Sequence, residues 1–184
     1  MFGWFGQSRE KVTARALYDA ALAASRAPVF YASHGVPDTI EGRFEMLALH
    51  LAVLLDRLGR GGDEAHKLSP RLTECFVIDM DDAMRDRGVG DLTVPKKVKK
   101  AAAALYDRHR AYGGAISAGN TAEIWRMALE TQFGELVGGG KIDTAALAAY
   151  AARIAPHFEA VQDADLAAGR VTYPQPMGQG VQHQ

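Results

Sequence analysis

The sequence lacks most of what would announce a particular chemistry. It has one cysteine, Cys75, so no disulfide can form within the chain, and a reducing compartment is the simpler setting. No run approaches the roughly 20 apolar residues that a membrane-spanning helix requires. Neither sign of charge dominates: Lys+Arg 21 against Asp+Glu 22 leave a formal net charge of −1. That balance argues against a general binder of DNA or RNA and leaves room only for a local basic patch. Alternation of β-branched residues is nearly missing while alanine is abundant, so the fold class is all-α. At 184 residues the chain suits one compact multi-helix domain with a real core.

Spacing and breakers divide that domain into short Gly- and Pro-marked connections and helices. A first helix is predicted over 9–24, closed by Pro28, and 29–38 reads as an irregular connection marked by Gly35, Pro37 and Asp38. A second helix over 39–58 has Phe44, Leu47, Leu51, Leu54, Leu55 and Leu58 on a wide apolar face, which marks it as central to the core. After the glycines at 59–62, Ser69-Pro70 has the cap-then-proline pattern of a third helix start. That helix would carry Leu72, Cys75, Phe76, Met80 and Ala83 inward and end before Gly88. Pro95 introduces a helix over 96–112, and the capping-box pattern from Asn120 to Glu123 opens the next, which Gly138, Gly139 and Gly140 stop. Asp143 caps a last helical region reaching 167, interrupted or kinked at Pro156. The expected organisation is an aromatic N-terminal segment at 1–8, a helical domain at 9–168 and a flexible tail at 169–184.

Enzyme motifs are missing too. Asp79, Asp82 and Asp86 share a helical stripe that could offer carboxylates to a magnesium ion, but the interleaved Arg85 and Arg87 favour a wet surface or a partner contact. None of the six histidines forms HExxH; His50, set among leucines, reads as a partly buried histidine bonded to a carboxylate or carbonyl. Cys75 beside Phe76 reads as a small core residue. Gly88-Val-Gly90 and the glycines at 138–140 lack the context of phosphate loops, and helix breaking is a sufficient reading of both.

What the chain does have is sorted charge. An acidic helix is followed at once by a Gly-marked turn and by Lys96, Lys97, Lys99 and Lys100 in a helix's first turns. Positive charge there opposes the partial positive charge of the helix N-terminus, at a few tenths of a kcal/mol each, and such local violations often mark interaction sites. Either a partner takes these lysines, or Asp91 and the acidic helix neutralise them within the chain. Tyr106 and Tyr112 either anchor an interface or finish the core, and Tyr31 with the following Gly-Val-Pro-Asp38 turn either covers the core or forms a contact loop. Phe2, Trp4 and Phe5 either dock on the domain or sit in a membrane interface as a peripheral contact.

The run from Tyr31, YASHGVPDTIEGRFEMLALHLAVLLDRL, continues through LSPRLTECFVIDMDDAMRDRGVGDLTVPKKVKKAAAALYDRHRAY. In the order of its pieces this resembles the ubiquinol–cytochrome c chaperone family over most of residues 28–165. The resemblance implies an all-helical, non-enzymatic chaperone without cofactors that binds newly made cytochrome b during assembly of the cytochrome bc1 complex. By analogy it implies a small helper protein and the translating ribosome as further partners. Because Met1 is followed almost at once by the first helix, it also implies a bacterial member, peripheral on the cytoplasmic face of the inner membrane. The family's characteristic positions here are Asp79, Met80, Asp81, Arg85, Gly88, Gly90, Asp91, Lys96 and Lys97. The candidate partner-binding residues are therefore Tyr31, Asp38, Asp79, Asp82, Arg85, Asp91, Lys96, Lys97, Lys100 and Tyr106; no catalytic, cofactor or metal residues are expected. Two alternatives stand beside this reading: a metal-dependent or haem-handling helical enzyme using the acidic stripe or His50, and an RNA-binding or ribosome-associated adaptor using the basic helix.

Overall fold

The computed structural model of the chain describes residues 8–134, 136 and 141–177. Phe2, Trp4, Phe5, the three glycines at 138–140 and His183 lie outside the described residues. Among those described there are eight helices and no strand: α1 (Arg9–Ser25), α2 (Pro28–Ala32), α3 (Ile40–Gly59), α4 (Asp63–Asp86), α5 (Val94–Ser117), α6 (Ala122–Phe133), α7 (Thr144–Glu159) and α8 (Asp163–Ala167). The all-α class read from composition is the class observed.

Helix α3 is the axis of the molecule. Its leucines, alanines and methionine are strong helix formers, and Thr39 caps it by accepting from the Gly42 N–H. Every residue from 45 to 55 is buried. A helix apolar on all sides belongs in a core, and α3 is accordingly packed by α1, α4, α5 and α7. Its entry is fixed by backbone contact. A Cβ built on Gly42 would lie 2.0 Å from the Pro37 carbonyl oxygen, so the Gly-Val-Pro-Asp turn can fold back onto α3 only over a glycine.

Several boundaries differ from those read in the sequence, each for a physical reason. The 29–38 connection contains α2: Pro28 starts this short helix rather than only ending the one before, and Phe30 anchors it in the core. Helix α4 begins seven residues before Pro70. Ser69 is not its cap, and its hydroxyl is buried without a hydrogen-bond partner among the described residues. Proline removes one hydrogen bond inside a 24-residue helix, and burial of Ala65 and Leu68 outweighs that loss. A distant residue supplies the missing N-terminal partner, since the Asp163 carboxylate accepts from the Gly62 N–H at 2.8 Å. Near the other end of α4, Ala83 faces solvent rather than the core.

Helix α5 extends to Ser117. The cap of α6 is Thr121, which accepts from the Ile124 N–H. Asn120 instead adopts φ 54° and accepts from Trp125 Nε1–H at 2.6 Å while donating to the Ala152 carbonyl at 3.0 Å, joining α6 to α7. Helix α7 passes through Pro156 and ends at Glu159.

The segment after Gly169 has more to bury than its composition suggests. Tyr173 is packed against the core and its hydroxyl donates to the His50 carbonyl at 3.1 Å. The hydroxyl end is deep enough that burial raises its pKa well above that of a free phenol. His34 donates through Nε2 to the Met177 carbonyl at 2.9 Å, and Arg153 and His157 hold the carbonyls of Gln175 and Thr172. The packed domain thus reaches Met177, and residues 178–184 lie outside the described residues. Truncating this anchor, Tyr173→Ala, is expected to destabilise the domain by about 2–3 kcal/mol in urea unfolding, the range for a large side chain only partly buried. An unchanged midpoint would return the segment to the status of a loose tail.

Candidate functional site

The acidic stripe, the glycine turn and the basic helix occupy α4, residues 87–93 and α5, which pack side by side. On α4 the aspartates do not act as a stripe. Asp79 is drawn to α1, where Arg15 reaches it at 2.7 Å and Asp19 at 2.9 Å. Asp81 and Asp91 both pair with Arg85, each at 2.5 Å, so one guanidinium ties the last turns of α4 to the turn that follows. Asp82 stays exposed. Among the described residues no group of three or more His, Cys, Asp or Glu side chains could hold a metal ion.

The turn itself is built by glycine. Gly88 takes φ +74° past the end of α4; its N–H donates to the Arg85 carbonyl at 2.8 Å and the Val89 N–H to that of Met84 at 3.1 Å. Such left-handed closures satisfy carbonyls that a helix end would otherwise leave open. The chain then turns at Gly90, whose carbonyl accepts from the Thr93 N–H at 2.7 Å, and enters α5. Between these points Leu92 is 99% exposed. Single exposed leucines are common, but nearly complete exposure at the tip of a well-bonded turn leaves the side chain without an intramolecular neighbour.

Helix α5 is pinned through one face. Val94, Val98, Leu105 and Tyr112 are buried, and Tyr112 lies against Trp125 with ring centroids 5.5 Å apart. Tyr112 is therefore a core residue. Arg108 forms a two-pronged pair with Glu45 of α3, at 2.6 and 3.1 Å, with both side chains largely removed from water. With this inner face fixed, Lys96, Lys97, Lys99 and Lys100 point to solvent, and none has an ion pair among the described residues. Of the nearby acids, Asp79 is held by Arg15, and Asp81 and Asp91 by Arg85. Tyr106, one side of α5 further on, is 65% exposed.

The candidate residues thus separate. Asp82, Arg85, Asp91, Lys96, Lys97, Lys100 and Tyr106 belong to the α4–α5 region. Tyr31 and Asp38 sit at the α2–α3 corner with internal work: the Tyr31 hydroxyl donates to the Ser25 carbonyl at 2.8 Å, and Asp38 receives Arg43 at 2.5 and 3.2 Å. Sequence reading passed over Leu92 and the Glu45–Arg108 pair. A lone leucine in Asp-Leu-Thr carries no periodic signal. An acid inside Phe-Glu-Met-Leu-Ala-Leu was the available sign that a buried cation waits on another helix.

His50 is a structural residue. It is fully buried, with Nδ1 2.7 Å from the Met46 carbonyl and Nε2 2.8 Å from the Tyr150 hydroxyl. A carbonyl only accepts, so Nδ1 carries the proton and Nε2 accepts from the tyrosine. Burial pushes the imidazole pKa down to about 4, more than the bond to Met46 raises it. Cys75 is part-buried, and burial raises its thiol pKa, the opposite of an activated nucleophile.

Three comparisons bear on this arrangement. The sequence model of a family described as Ubiquinol-cytochrome C chaperone matches residues 32–173. A search of curated proteins gave no significant match. Among solved structures, the chain is similar to the crystal structure of the Cbp3 homolog from Brucella abortus, at 33% identity, with a TM-score of 0.78 and 91% of each chain covered.

Because the folded pKa of His50 lies below that of an unfolded histidine, near 6.5, the unfolded state binds its proton first as pH falls. The stability is present in full above that value and is lost between about 6.5 and 4, by roughly 3 kcal/mol. A His50→Gln variant should show a flatter dependence of unfolding free energy on pH across that window. Parallel curves for the two proteins would show that His50 titrates as an ordinary imidazole.

Proposed function

As the chain belongs to the ubiquinol-cytochrome C chaperone family, we propose that it is a non-enzymatic assembly chaperone of the cytochrome bc1 complex whose client is newly made cytochrome b. The observation that supports client binding at α5 is the outer face of that helix. It carries unpaired lysines beside an exposed tyrosine, on a helix locked to the core through its other face. A rigid face with free charge and a protruding aromatic is suited to capture: the aromatic contributes affinity, and the charges set register and encounter rate. Binding is stoichiometric, with no bond made or broken.

On this reading Lys96, Lys97, Lys100 and Tyr106, with Asp82 across on α4, meet the client. Arg85 and Asp91 act by shaping the turn, Asp79 by holding α4 to α1, and Tyr31 and Asp38 by fixing the α2–α3 corner. Among the described residues no helix is long and apolar enough to cross a membrane. Since cytochrome b is itself a membrane protein, the chaperone works as a peripheral protein on the membrane face where its client is made.

The test is a pull-down of the tagged chain from detergent-solubilised membranes, scored for cytochrome b not yet joined to the complete complex. Tyr106→Ser changes only an exposed side chain and should reduce the captured cytochrome b by about tenfold, the effect of a moderate interface anchor, while leaving the thermal midpoint unchanged. Equal capture by the variant would remove α5 from the client surface, and absence of cytochrome b from the wild-type pull-down would remove the client itself.

A further inference from the structure

We propose that residues 171–177 are a placeholder strap lying in a groove for an extended polypeptide segment, and that a client segment carrying an aromatic side chain displaces them. The proposal rests on the chaperone reading above. It deepens that reading by naming a second contact, apart from α5, and the chemistry that fills it.

The strap is attached by side chains. Past Arg170, whose N–H donates to the Asp165 carbonyl at 2.9 Å, no backbone-to-backbone hydrogen bond holds it to the described residues. Instead His157, Arg153 and His34 donate to the carbonyls of Thr172, Gln175 and Met177 at 2.8 to 2.9 Å. Carbonyls read in this way do not depend on the sequence that supplies them. Selectivity comes from one side chain: the Tyr173 ring lies 4.8 Å from that of Phe158 and 5.0 Å from that of His50, and its hydroxyl reaches the His50 carbonyl. Tyr173 and Gln175 each precede a proline, which keeps them extended. Backbone carbonyls and one buried aromatic, on an extended chain, are what a grooved domain reads in a peptide.

The groove is larger than the strap. A cleft of about 370 Å³ opens between Tyr173 and Pro174 and the alanines Ala20, Ala23, Ala24 and Ala27 of α1. A second, of about 570 Å³, borders Val171, Thr172, His157 and Arg170. Hydrogen-bonding capacity is left over as well. Arg153 Nε and His34 Nδ1 are buried without a partner among the described residues, and Pro174 and Pro176 have no N–H to offer. Since His34 Nε2 donates to Met177, Nδ1 is an acceptor, and a client segment brings backbone N–H and carbonyl groups for both. The client's chemistry fits the seat. Exposed large apolar side chains are spread one to a helix over α1, α3, α4, α5 and α6: Val12, Ile40, Ile78, Tyr106 and Met127. A newly made membrane protein presents segments that need an apolar seat, and the strap covers one. Tyr173 anchors that strap, so lifting it lowers the apparent affinity for any partner and favours a segment whose own aromatic takes the same place.

The experiment is fluorescence anisotropy of a labelled peptide, residues 170–177 of this chain, titrated with the full chain. Three chains are compared: wild type, Tyr173→Ala, and a variant carrying Pro174→Gly and Pro176→Gly, which loosens the strap without touching the groove or the anchor. The wild type should bind weakest, because its own strap competes. Tyr173→Ala should bind about thirtyfold tighter, and the proline variant about fivefold tighter. A peptide carrying Tyr173→Ala should not bind. The same chains are scored in the cytochrome b pull-down, where both strap variants should capture more than the wild type and an excess of the peptide should lower the capture.

No peptide binding by a strap variant that keeps a cooperative thermal transition would make the strap a fixed part of the fold and overturn the proposal. If Tyr173→Ala loses that transition, the proline variant decides. Equal binding by all three chains would lodge the peptide elsewhere and overturn it too. Peptide binding as expected, with cytochrome b capture indifferent to it, would overturn the client as occupant while sparing the chaperone reading. Absence of cytochrome b from the wild-type pull-down would overturn that reading and, with it, the occupant named here.

Discussion

Burial of α3 on every side is the constraint from which the rest of the structure follows. An apolar cylinder in the middle of a small domain is easy to stabilise, but this one carries Glu45, His50, Asp56 and Arg57, and each must find a partner. Glu45 takes Arg108 of α5; His50 takes Tyr150 of α7. Arg57 donates to the carbonyls of Phe158 and Val161 and to Asp163, and Asp56 receives Arg60 within the same helix end. Most of these bonds therefore lead outward from α3 to another element. Removing one partner of a buried charged pair costs about 3–5 kcal/mol, so the Glu45–Arg108 contact fixes the rotation of α5 as well as its position.

That rotation decides the surface. Once Arg108 is tied to Glu45 of α3 and Val98 and Leu105 are buried, the lysines of the first turns are left exposed. The arginines meanwhile collect the nearby acids: Arg15 holds Asp79 and Arg85 holds Asp81 and Asp91. Arginine's planar fork suits fixed bidentate or bridging pairs, while lysine is the better free charge. Three of these acids are thus committed to arginines, while Asp82 and the four lysines stay exposed. Exposed pairs of this kind contribute little stability singly, so their main consequence is the electrostatic shape of the turn.

Much of this was legible in the sequence, and the failures are instructive. The all-α class, the central place of the leucine-rich helix and the start of α5 near Pro95 follow from periodicity and breakers, which act locally. Family membership was legible in the Gly-Val-Pro-Asp turn and the Gly-Val-Gly-Asp segment, and Gly42 and Gly88 show why glycine stands there: one allows a backbone to touch α3, the other supplies a left-handed residue. What escaped depends on partners far along the chain. Asp163 starts α4 from a hundred residues away and makes Ser69-Pro70 a false beginning. Tyr173 binds the backbone of His50, so a segment poor in apolar residues still packs. The partition of the candidate residues into internal ties and free groups rests on the same kind of contact, since Asp79 and Asp91 look as available in sequence as Asp82.

The central claim is that the outer face of α5 is where this protein meets what it protects. Site-specific photocrosslinking inside cells tests it most directly, with the reactive group placed at Ala103 on the exposed side of α5 and, separately, at Met127 on the exposed side of α6. The account predicts that the α5 probe yields an adduct with cytochrome b and the α6 probe does not. An adduct from α6 alone, or none from α5 while assembly of the complex proceeds, would contradict it.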